Sequence, residues 1–183
     1  LCPDSEKSAV AANLNERVIQ NRYLPDFGIL GAKMIPRMLA AFGYIDTAFK
    51  LITQGEYPGY VHWLKQGATT LWGNWDGNGS RNHIMHGDMA AWMMQYLAGI
   101  VPDVNHPGFT HVTIRPMAVP GLDFVKASHQ TRHGLIQVEW RRDGKNFALT
   151  VTLPAAGQVM LPDGSTHQVK AGTHTFECVA AKV

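Results

Sequence analysis

The spacing of hydrophobic residues changes near residue 105. Upstream, apolar positions recur every three or four residues, the period of a helix with one buried face. Val10, Leu14 and Val18, with Ile19 beside them, predict a first helix after Pro3. Asp4 or Ser5 is its expected cap, and it should end over Asn21 to Leu24, before Pro25. Two further helical stretches are expected at 36–42 and 44–53, parted by Gly43, with one or two turns at 60–66. Residues 67–82 are glycine-rich and aperiodic, which reads as a long loop, and loops of that length inside a domain are usually functional or mobile. A last helix rich in Met and aromatic residues is expected at 84–97, stopped by Gly99 and Pro102.

Downstream the period becomes two. Val112 and Ile114 alternate with Thr113 and Arg115, and Ile136, Val138 and Trp140 with Gln137, Glu139 and Arg141. Phe147, Leu149, Val151 and Leu153 alternate with Ala148, Thr150 and Thr152. Each run is a strand with one buried face. Asp143-Gly144 marks a hairpin and Pro162-Asp163-Gly164 a turn. The expected class is α+β in two domains: helical at 1–104, and an antiparallel β-sandwich at 105–183.

Composition narrows this picture. The 183 residues leave room for one average domain or two small ones. With 16 Lys and Arg against 14 Asp and Glu, the formal charge is only +2, so bulk charge argues against a nucleic-acid partner. No apolar run approaches the roughly 20 residues of a membrane-spanning helix, so no membrane partner is expected. Cys2 and Cys178 are too few for a disulfide framework. The chain opens at Leu1 without an initiator Met or a signal-like segment, and reads as the C-terminal piece of something longer.

Chemistry concentrates in the loop. It holds Trp72, Trp75, Asp76, Arg81, Asn82 and His83, with His86 just beyond and Tyr57, Tyr60 and Trp63 just upstream. Aromatic rings beside amides, acids and imidazoles suit a sugar, whose apolar face packs on a ring while its hydroxyls need fixed donors and acceptors. The same residues also fit two core tryptophans carrying a solvated loop. His83 and His86, three apart, could share a face, but no strong third ligand stands by, and neither a metal nor a cofactor is expected. The nucleophile-elbow and phosphate-loop glycine patterns are both missing.

The runs Gly28-Ile-Leu-Gly31, Gly67-Ala-Thr-Thr-Leu-Trp72 and Asn82-His-Ile-Met-His-Gly87 resemble bacterial α-L-rhamnosidases of glycoside hydrolase family 78. The likeness continues through Tyr96-Leu-Ala-Gly-Ile100, Pro107-Gly-Phe-Thr-His-Val-Thr-Ile-Arg-Pro116, Lys126-Ala-Ser128, Gly134 and Val138-Glu-Trp140. It implies the C-terminal part of an (α/α)6 barrel followed by a β-sandwich, with the loop over the sugar site. It implies a rhamnose-containing glycan as ligand, and a partner completing the barrel: the upstream part of the same protein or another chain. By the likeness His83 reaches a rhamnose hydroxyl, Trp72 and Trp75 line the rim, and Asn82 orients the imidazole or the loop.

The resemblance also implies inverting hydrolysis, with a general acid upstream of Leu1 and a base Glu inside a Trp-Glu-x-Trp run. Here that run is Trp72-Gly73-Asn74-Trp75, so the base position is Gly73. Losing a positioned base costs typically about 10²–10⁴ in rate. The alternatives are a slow or silent rhamnoside binder, a substitute carboxylate (Asp76 first, then Glu56), or an engineered base-free form. Different sugar chemistry is a further alternative, such as a lyase using His83 or Tyr57. Asp76 has a structural alternative too, holding the loop through backbone N–H groups.

Overall fold

The computed structural model describes residues 2–180. The chain divides into two compact units, Leu1–Trp92 and Met93–Val183.

The first unit is helical. A short 3-10 turn, Asp4–Glu6, leads into α1 (Lys7–Gln20). α2 (Ile29–Ala41), α3 (Ile45–Thr53), α4 (Tyr60–Lys65) and α5 (Asp88–Trp92) follow, with a 3-10 turn at Ile84–Gly87. The expected cap at Asp4 or Ser5 is not used. α1 begins one turn later, behind Glu6, without a side-chain cap. Its buried face is also rotated from the expected one: Ala11 and Val18 are buried, while Val10 and Ile19 are exposed.

α2 starts seven residues before Pro36, where the sequence pattern had placed its beginning. Proline there removes one intrahelical hydrogen bond. Pro36 is nevertheless buried, and its carbonyl accepts a hydrogen bond from the indole of the fully buried Trp92 at 3.0 Å. Ala32, Leu39 and Ala40 are buried with it. Leu30, Met34 and Met38, spaced four apart, leave an exposed apolar stripe along α2. α3 is cleanly amphipathic, burying Ile45, Ala48, Leu51 and Ile52.

The second unit opens with a π-helical turn, Met93–Leu97, and carries eight strands. One sheet has the order β1 (Ile100–Val101), β2 (Val112–Ile114), β6 (Gly157–Met160), β7 (Thr166–Val169). The other has the order β3 (Phe124–Thr131), β4 (Gly134–Asp143), β5 (Asn146–Leu153), β8 (Gly172–Val179). The second sheet is antiparallel throughout, and its β4–β5 hairpin closes at Asp143–Asn146 as the Asp-Gly pair foretold. β2 and β6 are a parallel pair inside the other sheet. They lie 42 residues apart, with β3, β4 and β5 between them, so no tight turn constrains their sense.

The two sheets share one core. Val112, Ile114 and Val159 from one meet Ile136, Val138, Trp140, Phe147, Leu149 and Val151 from the other. All of these but Val159 are alternate positions that the period-two pattern singled out. Trp140 is completely buried and donates its indole N–H to the Leu97 carbonyl at 2.8 Å.

Candidate functional site

The loop 67–83 is tied down along its length. The Gly73 N–H donates to Ser80 O and the His83 N–H to Leu71 O, both at 2.7 Å, so the two arms run side by side. The Thr70 hydroxyl adds a bond to the Arg81 carbonyl. At the tip, Asn78 donates from its backbone N–H and its amide to the two oxygens of Asp76, each at 3.0 Å. Gly77, at φ 74°, lies flat on Trp72: a Cβ there would stand 2.6 Å from the indole ring. Glycine is required by both the backbone and the contact.

Two indoles fasten this loop to the helices. Trp63 of α4 donates to the Trp75 carbonyl at 2.8 Å, and Trp75 donates to the Phe27 carbonyl at 2.8 Å. The Trp75 ring is half-buried, packed 4.7 Å from Trp63, 5.2 Å from Tyr60 and 4.8 Å from His86. Trp72 is only 7% exposed, and the Arg81 guanidinium lies 4.9 Å over its ring. Trp72 is thus the floor beneath Arg81.

A cleft of about 390 Å³ runs along this surface. Of the residues singled out from sequence, it gathers Tyr57, Trp72, Trp75 and Asp76. Asp76 is exposed there, and exposed Tyr57 sets its ring 5.4 Å from His62. Asn82 is exposed off the cleft lining, its N–H held by the Ser80 hydroxyl at 3.3 Å. Half-buried His83 is not a lining residue but adjoins position 73. A Cβ on Gly73 would lie 3.6 Å from the His83 ring and 3.3 Å from Ser80 O. A side chain at 73 therefore leaves the backbone toward that imidazole.

The cleft also takes in His62 and Gln66, which the sequence reading passed over, and Arg81, which it counted only among the polar groups of the loop. The first two were within reach, since His62 of α4 and Gln66, its C-cap, are four apart and share a face. Arg81 carries no motif, and only the folded loop lays it over Trp72.

Behind Trp75 sits an apolar cage with polar atoms inside it. His86 is 1% exposed, and neither ring nitrogen makes a well-formed hydrogen bond, the Trp72 backbone giving it only a weak polar contact. The buried His83 Nε2 and Tyr60 hydroxyl are also unpartnered. Burial pushes the Tyr60 phenol well above its ordinary range, helped by the Asp88 carboxylate. Asp88 itself is held in a two-point ion pair by Arg37, at 2.6 and 3.0 Å. Burial pushes the His86 imidazole down and the nearby His83 adds to this, while the Trp72 backbone opposes it in part.

This sets a pH dependence. The unfolded chain takes up a proton on His86 near pH 6.5, whereas the folded chain does so only at lower pH. Stability from the neutral imidazole is therefore complete above pH 6.5 and is lost as pH falls toward the folded value. His86→Phe fills the cage without buried nitrogens. It is expected to stabilise the protein by about 1–2 kcal/mol at pH 7 and to flatten the decline between pH 7 and 5. Thermal melts of both proteins across that range check this, and equal slopes would count against the caged neutral imidazole.

A unit of packed helices followed by a two-sheet unit fits the order of a six-hairpin glycosidase domain and its C-terminal domain. The chain belongs to the bacterial α-L-rhamnosidase family: the family's six-hairpin glycosidase domain matches residues 1–97 and its C-terminal domain residues 99–176. An α-L-rhamnosidase of Streptomyces avermitilis is 26% identical over 189 aligned residues, covering 96% of this chain and 18% of that protein. One from Alteromonas sp. is 29% identical over 138 residues, covering 69% of this chain and 15% of that one. The chain thus spans less than a fifth of the length of these curated relatives. Among solved structures, the S. avermitilis enzyme complexed with L-rhamnose superposes with a TM-score of 0.89 at 24% identity, over 96% of this chain and 20% of that one. The α-L-rhamnosidase of Dictyoglumus thermophilum gives 0.81 at 26% identity, over 90% of this chain and 22% of that one.

Proposed function

We propose that this chain supplies the sugar-facing wall of an α-L-rhamnosidase-type site that binds terminal α-L-rhamnosides and hydrolyses them with inversion, slowed by the glycine at position 73. The observation that carries the reading is the Trp72–Trp75 turn: position 73 faces His83 beside an aromatic cleft, yet bears no proton acceptor. In this reading Trp75 and Tyr57 offer ring faces to the pyranose, and His83, which Asn82 precedes, meets a hydroxyl. The general acid comes from helices beyond this chain, in an upstream part of the same protein or in another chain. Those helices cover the Leu30–Met34–Met38 stripe, which water-exposed helices seldom keep.

Asp76 is the nearest remaining acid on the loop, and any residual turnover is assigned to it. Both its oxygens accept from Asn78, so it also holds the turn. Asp76→Asn keeps an acceptor for the Asn78 N–H but loses the basic oxygen. In the intact protein its residual aryl α-L-rhamnoside hydrolysis is expected to fall about 10²-fold or more. A rate within a few-fold of the parent's leaves Asp76 as a turn anchor alone. Calorimetric titration with methyl α-L-rhamnoside tests the binding itself: saturable uptake that Trp75→Ala abolishes is expected, and no uptake by the intact protein contradicts the proposal.

A further inference from the structure

The cleft holds one strong cation, Arg81, which makes no direct ion pair among the described residues although Asp76 shares the cleft. The Arg81 guanidinium rests on Trp72 at 4.9 Å, and its Nε reaches the Gly77 carbonyl at 3.3 Å. No carboxylate pairs with it among the described residues. The acid that shares the cleft, Asp76, has both oxygens turned to Asn78. His62 leans on Tyr57. The two Nη groups of Arg81 therefore stand over an aromatic floor with free donors.

A guanidinium fixed by stacking presents a planar fork that matches a carboxylate at two points. The glycine at 73 bears on the same question. A carboxylate launched from that position would put a second negative charge on the loop wall and repel an incoming anion. Gly73 avoids that second charge, which leaves Asp76, engaged by Asn78, and Arg81, whose Nη donors are unused, as the charged groups of the cleft.

We propose that Arg81 selects acidic saccharides: the rhamnose is recognised when it is attached to a uronic acid, whose carboxylate lands on the Arg81 guanidinium. This rests on the rhamnoside-binding reading of the same cleft and adds the class of the neighbouring sugar. A cleft of about 390 Å³ falls within the range typical of small-ligand pockets and leaves room for more than one ring. Trp72 matters by holding the guanidinium flat.

The test compares an α-L-rhamnosyl-glucuronic acid disaccharide with its methyl ester, which differs only in the lost charge, by calorimetry on the intact protein at neutral pH. The acid is expected to bind about tenfold more tightly than the ester, with the gap narrowing as salt is raised. Arg81→Gln is expected to erase the gap, and Arg81→Lys to keep only part of it. Equal affinities for acid and ester in the parent protein overturn the proposal, and this comparison needs no variant. A gap that survives Arg81→Gln overturns it as well. Methyl α-L-rhamnoside is run alongside: its failure to bind, with the acid still preferred over the ester, counts against the rhamnose reading and leaves the role of Arg81 standing.

Discussion

Gly73→Glu is expected to raise aryl α-L-rhamnoside hydrolysis by the intact protein about 10²–10⁴-fold. The gain follows from what the loop already provides. Gly73 lies outside the left-handed region that only glycine tolerates, so a glutamate can take its backbone. Its Cβ would stand 3.6 Å from the His83 ring, and only the Ser80 carbonyl, at 3.3 Å, has to give by a few tenths of an ångström. The side chain would then enter beside the imidazole assigned to the sugar, with Trp72 and Trp75 flanking it in sequence. A base placed there abstracts the proton of the attacking water in the transition state, so the gain should fall on kcat more than on KM. Gly73→Gln is the matched control, equal in size and hydrogen bonding but unable to accept the proton, and should stay near the parent rate. If glutamate and glutamine behave alike, position 73 is not where the base belongs.

Trp140→Ala is expected to destabilise the β-sandwich by about 3–5 kcal/mol. The ring is fully buried, lies 5.3 Å from Phe147, and reaches back to the carbonyl of Leu97. Alanine removes the packing, opens a cavity between the two sheets and strands that carbonyl. Trp140→Phe keeps most of the packing but loses the hydrogen bond, and should cost about 1–2 kcal/mol for the stranded carbonyl plus a smaller cost for the volume removed. Chemical denaturation followed by near-UV circular dichroism separates the two. A loss below about 1 kcal/mol for the alanine variant would mean that the sheets close over the gap, against the tight core described here.

How much of this was legible in the sequence depended on the range of the forces involved. Period-two runs such as 136–140 and 147–153 report burial on one face, and those strands lie where the alternation put them. Helix α2 was cut short at Pro36 because proline normally opens a helix. Only the packed structure shows Trp92 bonding the carbonyl of that proline. On α1 the spacing puts Val10 and Val18 on one face, but only Val18 is buried. The parallel pairing of β2 with β6 is set across 42 residues and leaves no local mark.

The site divides in the same way. That glycine stands at position 73, where the family resemblance implies an acid, was legible because it is an identity within a run of sequence. The order of the loop was not, since it rests on bonds such as Gly73 to Ser80 and Trp63 to Trp75. Arg81 gains its meaning only from lying over Trp72, and His86 only from its cage of Trp63, Trp75 and Tyr60. A polar residue's burial cannot be read from its neighbours in sequence when the walls come from two helices and a loop.

The central claim is that this chain carries a rhamnosidase-type site whose base position is occupied by glycine. Proton NMR of the sugar released by the intact Gly73→Glu protein tests it most directly, because the anomer formed first reports where the water was activated. The account predicts accelerated release of β-L-rhamnose from an α-rhamnoside, followed by slow mutarotation. Release of the α-anomer first, or no release above the parent protein, would contradict it.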